Sequence, residues 1–309
     1  MSRTVRAARL QAHGEPLVVD EVELAAPEVG EVVVEMTFGG VNPVDRYNAL
    51  GSVGADLRLP RTVGAEGAGF HDGQPVVVRG SGIWATSVVV PSHSLVEVPA
   101  GVDLAAAAAL GVAGVTAWRC VTELGAVQPA DRVLVLGASG GVGSMIVSMA
   151  HRLGAAVCGQ TTSPGKAAFL SRLGADQVAV ADSQSLRAEI GDFGPTVVFD
   201  PLGGGFTGVA VEALEPRGRL ILLGTSADTA GSVPLQAFYR KSLRMAGYGG
   251  LMETGEALAA GVKAALQGLA EGRFEVVVDS VVPLQDVNTA LARLVDRSVS
   301  GKLLLDLGS

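Results

Sequence analysis

The stretch that decides the fold is Val133-Leu-Val-Leu-Gly137-Ala-Ser-Gly140-Gly-Val-Gly143-Ser144. An apolar strand pattern ends there at a glycine, and an apolar helical pattern begins directly after it. Gly137 allows a tight turn, Gly140 leaves room for phosphates beside backbone N–H groups, and Gly143 lets the helix pack closely on the strand. The pattern is typical of a dinucleotide-binding turn. A tight βα turn without a ligand is the alternative.

Outward from this turn, short apolar strands alternate with helical patterns, which predicts a parallel, doubly wound sheet. The predicted strands are Val133–Leu136, Ala156–Gln160, Gln177–Val180, Thr196–Phe199, Arg219–Leu223 and Leu243–Ala246. The predicted helices of this region are Val115–Glu123, Val142–Leu153, Lys166–Leu173, Gly208–Leu214 and a stretch from Gly255 to Glu271.

The first hundred residues and the C-terminal tail have a different sequence pattern. Val-rich runs are separated by Gly, Pro and Asp, and this pattern predicts β structure. These runs are Leu17–Leu24, Glu31–Phe38, Pro75–Val78, Thr86–Pro91, Glu275–Val282 and Lys302–Leu307. Helices are expected over Leu104–Leu110, capped by Asp103, and over Gln285–Arg297. We therefore expect an α/β protein in which residues 1–114 and 274–309 form one domain and residues 115–273 a nucleotide-binding domain.

Composition excludes several classes of protein. The 309 residues carry 23 Lys and Arg against 31 Asp and Glu, a net charge of −8, which argues against a nucleic-acid or membrane surface as partner. Cys120 and Cys158 fall in different predicted elements, so no disulfide framework is expected. With no apolar run of about 20 residues and no signal-peptide pattern, the expected location is the cytoplasm.

The residues after the second predicted strand favour NADPH over NADH. NAD-preferring sites hold the ribose hydroxyls with an acidic residue about 20 positions after the glycines. Between Gly143 and Ala175 the sequence has no Asp or Glu; instead it carries Thr162, Ser163 and Lys166. Hydroxyls and an ammonium group suit a 2′-phosphate, which a carboxylate would repel. The alternative is an ordinary loop in which Ser163 caps a helix and Lys166 is solvated.

Several further strings together resemble the medium-chain dehydrogenase/reductases, in the zinc-independent quinone oxidoreductase (zeta-crystallin-like) branch. They are Gly40-Val-Asn42-Pro43-Val-Asp45-Arg-Tyr47, Gly64-Ala-Glu66-Gly67-Ala-Gly69, Gly114-Val-Thr116-Ala, Leu173-Gly-Ala-Asp176, Asp200-Pro-Leu-Gly203-Gly204 and Ser300-Gly301-Lys302. The resemblance implies a GroES-like β-rich catalytic domain built from both ends of the chain, a Rossmann domain between them, and a homodimer.

The resemblance also implies site residues. Asn42, Asp45 and Tyr47 would line the nicotinamide and substrate side, although Asn42 also suits a turn, Asp45 a helix cap and Tyr47 simple packing. The expected cofactor-binding residues are Thr116, Gly137, Ser139, Gly140, Gly141, Val142, Gly143, Thr162, Ser163, Lys166, Gly224 and Thr225.

The chain departs from its zinc-dependent relatives, which carry Cys and His zinc ligands in two loops. In the first of these loops this chain has no Cys beside Asn42, and in the second it has Ala65. We expect no metal, and hydride transfer to a quinone or an α,β-unsaturated carbonyl. One alternative is an enoyl-thioester reductase, whose substrate phosphates could meet Arg46, Arg58, Arg61 and Arg79. Another is an NADPH-binding redox sensor or structural protein with little turnover.

Overall fold

A computed structural model of the chain describes residues 3–52 and 58–308. Its strands are β1 (Arg3–Leu10), β2 (Val18–Leu24), β3 (Glu31–Gly40), β4 (Arg61–Thr62), β5 (Glu66–His71), β6 (Gln74–Arg79), β7 (Ser87–Pro91), β8 (Leu95–Glu97), β9 (Arg132–Val135), β10 (Ala156–Thr161), β11 (Gln177–Val180), β12 (Val197–Asp200), β13 (Arg219–Leu222), β14 (Arg244–Gly247), β15 (Val278–Pro283) and β16 (Lys302–Asp306).

The α-helices are α1 (Pro43–Ala49), α2 (Leu104–Ala107), α3 (Val115–Arg119), α4 (Gly141–Arg152), α5 (Ala167–Arg172), α6 (Leu186–Ile190), α7 (Gly204–Ala213), α8 (Leu235–Arg240), α9 (Gly255–Ala270) and α10 (Val287–Val295). Two π-helical turns, Leu110–Gly114 and Cys120–Leu124, flank α3.

The chain forms two compact units. The first comprises Met1–Val115, Glu253–Glu271 and Val276–Ser309, and the second comprises Thr116–Met252 and Gly272–Glu275. The helix α9 belongs to the first unit, because it packs on β8 and on the turn around His93. The predicted nucleotide-binding domain, residues 115–273, had included this helix.

The first unit is built around β3, which joins both ends of the chain. A seven-stranded sheet runs in the order β15-β16-β3-β5-β6-β8, with β7 also paired to β3, and a three-stranded sheet runs β2-β1-β4. β3 is antiparallel to β5, β7 and β16, so the end of β3 meets the beginnings of β5 and β16. The core between these sheets contains Trp84, whose indole N–H donates to Gly40 O at 3.2 Å.

The second unit is a parallel sheet of six strands in the order β11-β10-β9-β12-β13-β14. Numbered within the unit, this is 3-2-1-4-5-6, the order of a doubly wound dinucleotide-binding fold. The α/β class, with a GroES-like β-rich unit and a Rossmann unit, is confirmed. Turns at the carboxyl ends of parallel strands lie at one edge of the sheet, where such folds bind ligands.

Most predicted strands agree with the structure to within two residues, but several helices differ. The stretch expected as Leu104–Leu110 is helical only to Ala107, although Asp103 caps it through a bond from Ala106 N. The helix expected over Val115–Glu123 ends at Arg119 and continues as a π-helical turn. The helix expected at Gly208 begins four residues earlier, at Gly204.

Several elements have no counterpart in the sequence prediction. β1, β5, α1, α6 and α8 lack the long apolar periodicity on which sequence interpretation depends. β5 contains Gly67 and Gly69, residues that are depleted in strands, yet here they allow close approach. A Cβ at Gly69 would collide with the carbonyl of Glu35 on β3.

Across the described ranges, no helix combines the length and apolar character that a membrane crossing requires.

Candidate functional site

Three of the glycines in the turn after β9, Gly137, Gly140 and Gly143, meet different constraints. Gly137 has φ +58°, a conformation that favours glycine. A Cβ at Gly143 would lie 2.5 Å from Gly137 O, so close packing of helix on turn requires glycine there. At Gly140 φ is −79°, and the nearest described atom to an added Cβ is Gly137 O at 3.5 Å. Packing therefore explains Gly137 and Gly143, whereas the space at Gly140 is open for a ligand.

The turn also presents backbone donors. α4 begins at Gly141, and its first regular bond runs from Ser144 N to Gly140 O at 2.9 Å. The N–H groups of Gly141, Val142 and Gly143 precede that bond, and the first N–H groups of a helix have no acceptor within it. Together with the positive end of the helix dipole, they form a cradle that fits a diphosphate.

A row of hydroxyl groups lies beside this turn at the end of β10. Ser139 Oγ is 3.4 Å from Thr161 Oγ1, and both residues are buried. Thr161 Oγ1 also accepts a bond from Ser163 N at 3.2 Å. Thr162 is exposed, and Lys166 closes a single 3-10 turn that starts after Ser163. Ser163 makes no side-chain cap bond, so its hydroxyl is not committed to the helix start.

The first acidic residue after the glycines points elsewhere. Asp176 Oδ2 accepts a bond from Val157 N at 2.8 Å, near the beginning of β10. The hydroxyl-bearing residues stand at the opposite end of that strand. Asp176 is therefore committed to structure, and the edge of the sheet that carries Thr162 and Ser163 has no carboxylate from this segment.

The other predicted cofactor residues occupy separate places. Gly224 and Thr225 follow β13, where a Cβ at Gly224 would lie 2.9 Å from Pro201 O of the loop after β12. The two loops thus pack closely at the carboxyl edge of the sheet. Thr116 lies on α3, within the first turn of that helix. Its role toward a nicotinamide stays a prediction.

In the first unit, a buried polar cluster stands where the end of β3 meets the beginnings of β5 and β16. Lys302 Nζ donates to Asn42 Oδ1 at 2.6 Å, to Val41 O at 3.1 Å and to Glu66 Oε1. Asn42 Nδ2 donates to the same Glu66 oxygen at 2.7 Å, and Val112 N donates to Glu66 Oε2. The Glu66 carboxylate thereby connects two strands, β5 and β16, with the loop that precedes α1 and with the π-helical turn Leu110–Gly114.

Asp45 adjoins this cluster at the start of α1. Its Oδ2 accepts a bond from Asn42 N at 2.8 Å, which is half of a capping box. Its Oδ1 is buried without a hydrogen-bond partner among the described residues. Burial raises the pKa of the Asp45 carboxyl to about 7, and the charge on Glu66 adds to this, whereas the bond from Asn42 N and the charge on Lys302 oppose it.

These contacts change the interpretation of the residues expected to line the substrate. Asn42 is 4% exposed, and its carboxamide is bonded at both ends to Lys302 and Glu66. Asp45 is also buried, as the cap of α1. The geometry thus gives both residues a place in the buried cluster rather than on a surface that a substrate touches. Tyr47 is half-buried on α1, and its role toward a substrate stays a prediction.

The residues present do not fit a catalytic zinc, which needs three or four sulfur, nitrogen or carboxylate ligands. Ala65 stands at one expected ligand position, and Asn42, bonded to the ammonium of Lys302, stands beside the other. That ammonium would repel a divalent cation. In residues 3–52 and 58–308, no three His, Cys, Asp or Glu side chains are grouped so that they could hold a metal.

A cavity of about 340 Å³ lies within the first unit, between β6, β8 and α9. Its walls are mainly apolar, and Arg79, His93, Ser81 and Ser94 supply polar groups. Of the four arginines that could meet the phosphates of a thioester substrate, Arg79 lines this cavity, whereas Arg46 lies on α1, Arg61 on β4 and Arg58 in the loop before β4.

Sequence interpretation overlooked three residues of these sites. Glu66 and Lys302 were quoted only as parts of family strings, and Gln160 only as the end of a strand. A charged or amide side chain inside an apolar segment indicates a buried residue with hydrogen-bond partners, because such groups are buried only with partners. This pattern could have identified all three residues. The partners themselves lie too far along the chain to be identified from spacing.

Residues 141–260 match the family model described as zinc-binding dehydrogenase. This segment starts at the first residue of α4 and does not include Asn42 or Ala65. The match therefore concerns mainly the second unit and not the positions at which zinc ligands would stand.

Relatives cover the chain more fully. It is 29% identical to bovine quinone oxidoreductase-like protein 2, over 99% of this chain and 93% of that protein. It is 27% identical to human mitochondrial enoyl-[acyl-carrier-protein] reductase, over 98% of this chain and 89% of that protein. It is 29% identical to a phenolphthiocerol/phthiocerol polyketide synthase protein of Mycobacterium tuberculosis over 94% of this chain, but it spans only 14% of that much longer polypeptide.

A solved structure extends the likeness. The quinone oxidoreductase of Pseudomonas syringae pv. tomato DC3000 superposes with a TM-score of 0.86 and is 27% identical, covering 98% of this chain and 99% of its own. The likeness extends over both units of the fold.

Replacing Asp45 with Asn should flatten the pH dependence of stability in the first unit. The folded state holds a proton on Asp45 more tightly than the unfolded chain, whose ordinary pKa is 3.8. The stabilising contribution of this group is therefore complete below that value and is lost as pH rises through about 7. Between these two pH values, we expect the free energy of unfolding of wild type to fall, relative to that of Asp45→Asn, by up to about 1.4 kcal/mol per pH unit.

Urea unfolding at several pH values across this window measures the effect. A Trp118→Phe background leaves the fluorescence of buried Trp84, which lies in the same unit as Asp45. Asp296→Asn, at an exposed carboxylate, is the matched control and should keep the wild-type pH dependence. Parallel curves for wild type and Asp45→Asn would show that Asp45 ionises equally easily in both states.

Proposed function

We propose that the chain is a medium-chain dehydrogenase/reductase and, within that superfamily, an NADPH-dependent reductase that delivers a hydride, without a metal, to a quinone or an α,β-unsaturated carbonyl. One observation carries this function: the cradle formed by Gly140 and the first N–H groups of α4. Gly140 is not required by packing, and the space that it leaves open adjoins donors suited to a diphosphate.

The choice of NADPH over NADH rests on the end of β10. The hydroxyls of Ser139, Thr162 and Ser163 and the ammonium of Lys166 are suited to a 2′-phosphate. Asp176, the first carboxylate after the glycines, is bonded to Val157 N at the other end of the strand. An NADH site of the usual kind would need an acidic group where this chain has hydroxyls.

The choice of acceptor follows from the missing zinc ligands. In zinc-dependent relatives a metal acts as a Lewis acid at the oxygen of a simple alcohol or ketone, and the residues at the expected positions here do not supply that metal's ligands. A quinone or an enone is already activated by conjugation. The likeness to bovine quinone oxidoreductase-like protein 2 over almost the whole chain supports this acceptor class.

The bound nicotinamide supplies the hydride, and the chain's own residues have the remaining tasks. The amides of Gly141, Val142 and Gly143 would hold the diphosphate, and Lys166 and the neighbouring hydroxyls the 2′-phosphate. Tyr47 is the residue that we propose to hydrogen-bond the acceptor oxygen as it gains charge. Asn42 and Asp45 contribute indirectly, by fixing the start of the helix that carries Tyr47.

Two alternatives have different support. An enoyl-thioester reductase is supported by the likeness to human mitochondrial enoyl-[acyl-carrier-protein] reductase and by Arg79 beside an apolar cavity. An NADPH-binding sensor with little turnover would share the cradle but need no acceptor. Turnover measurements separate these functions.

The proposed function is tested by measuring oxidation of NADPH through the loss of its absorbance. The acceptors are 1,4-benzoquinone, 9,10-phenanthrenequinone, an α,β-unsaturated ketone and crotonyl-CoA. We expect turnover of a quinone or the enone that is unchanged by a chelator and faster with NADPH than with NADH. Turnover of crotonyl-CoA alone would favour the thioester reductase. Tight NADPH binding without oxidation of any acceptor would favour the sensor.

Lys166→Ala should weaken NADPH binding by about tenfold or more, because a charged hydrogen bond contributes about 1.5–3 kcal/mol. NADH lacks the 2′-phosphate, so its dissociation constant should stay within about twofold. Arg172→Ala removes the same charge from the far end of α5 and is the matched control. Equal losses for both cofactors in a calorimetric titration would remove Lys166 from 2′-phosphate recognition.

We also propose a homodimer, formed through the edge of the parallel sheet. β14 lies at that edge, and within residues 3–52 and 58–308 it pairs with no strand other than β13, so that its other side could accept a strand of a second chain. Leu235 and Tyr239 on α8, which precedes β14 in the chain, are 75% and 65% exposed. Light scattering should give twice the chain mass for wild type and the single mass for Met245→Asp, while Val295→Asp on α10 leaves the mass unchanged. A wild-type monomer would contradict this arrangement.

A further inference from the structure

Gln160 is hydrogen-bonded to the glycine turn through both its side chain and its main chain. It is 1% exposed, near the end of β10. Its Oε1 accepts a bond from Gly137 N at 2.8 Å, and its main-chain oxygen accepts one from Ala138 N at 2.9 Å. Its Nε2 donates to Ala181 O, just after β11, at 2.6 Å.

These bonds divide the donors of the turn into two groups. The N–H groups of Gly137 and Ala138 point to Gln160, and that of Gly140 points to Gly137 O at 3.1 Å. The N–H groups that begin α4 are left for a ligand. The first part of the turn is thus anchored to β10, and this anchor sets the direction in which the cradle faces.

The carboxamide is suited to this task in a way that other side chains of similar size are not. Gly137 N requires an acceptor and Ala181 O requires a donor, so the two ends of the amide are not interchangeable here. Methionine fills the space but satisfies neither group, and an ionised glutamate satisfies only the first. Val157 and Cys158, which are buried on the same strand, are apolar residues that fill space without such hydrogen bonds from their side chains.

We propose that Gln160 is a positioning residue for the cofactor diphosphate: its carboxamide holds the peptide that begins the glycine turn and thereby aims the amides of α4. This inference rests on the proposed dinucleotide site. Gln160 itself does not touch the diphosphate, because its polar atoms are occupied by Gly137 and Ala181. Its loss should therefore act on affinity through the turn and leave the hydride-transfer step unchanged.

The test compares two ligands in calorimetric titrations of the full-length protein. NADPH contains the diphosphate, whereas adenosine 2′-monophosphate contains the 2′-phosphate without it. For Gln160→Met we expect the dissociation constant of NADPH to rise at least tenfold and that of adenosine 2′-monophosphate to stay within about twofold. With an active acceptor, the KM for NADPH should rise by a similar factor while kcat at saturation is retained.

Two control variants separate positioning from loss of stability. Ser148→Ala removes another buried hydrogen bond of the same unit, the one from Glu275 N at 3.0 Å, and should lower the melting temperature without changing NADPH affinity. Gly140→Val places a side chain in the open space of the cradle and should abolish NADPH binding while the fold is retained. If wild type binds no dinucleotide, the proposed function fails before Gln160 is tested.

A conservative variant provides a rescue. Gln160→Glu has the shape of glutamine, and when protonated its carboxyl offers one donor and one acceptor. Its affinity for NADP⁺, taken as a ratio to wild type at each pH, should improve as pH falls. Gln160→Met should show no such recovery. Two results would overturn the inference. One is that Gln160→Met binds NADPH as tightly as Ser148→Ala does. The other is that the affinity of Gln160→Glu for NADP⁺, relative to wild type, does not depend on pH.

Discussion

The buried carboxylate of Glu66 is the contact on which the first unit depends. It accepts bonds from Asn42, Lys302 and Val112, which belong to a loop, the strand β16 and a π-helical turn. Removing one partner of a buried ion pair typically costs about 3–5 kcal/mol, because the other charge is left without compensation. The cluster therefore specifies how the two ends of the chain combine, and it fixes the loop that leads into α1.

The second unit depends on a different constraint, the close approach of α4 to the turn after β9. Gly143 permits this approach, since a Cβ there would collide with Gly137 O, and Gln160 holds the turn from the other side. Between these supports, Gly140 is left without a packing role. The open space at Gly140 supports the proposed site because it adjoins the first N–H groups of α4, which have no acceptor within the helix.

Local sequence patterns predicted the second unit well, because buried parallel strands are continuous apolar runs that alternate with amphipathic helices. They predicted short elements poorly. The seven-residue helix α1 begins at Pro43 with a buried Asp45, and the residues that fix it, Glu66 and Lys302, are distant in sequence. The substrate role expected for Asn42 illustrates the difficulty, since a turn residue and a buried bridging amide have the same local sequence.

The position of β16 within its sheet has a consequence for synthesis of the chain. Lys302 and Glu66 are separated by 236 residues, and at about 5–20 residues per second a ribosome needs roughly ten seconds or more to supply the second after the first. During that interval Glu66 has no ammonium partner, and β3 lacks one of its neighbours. The second unit, nearly continuous in sequence, can fold meanwhile. The sheet of the first unit is therefore completed only after β16 has emerged, and until then the edge of β3 that β16 will cover lacks its partner strand.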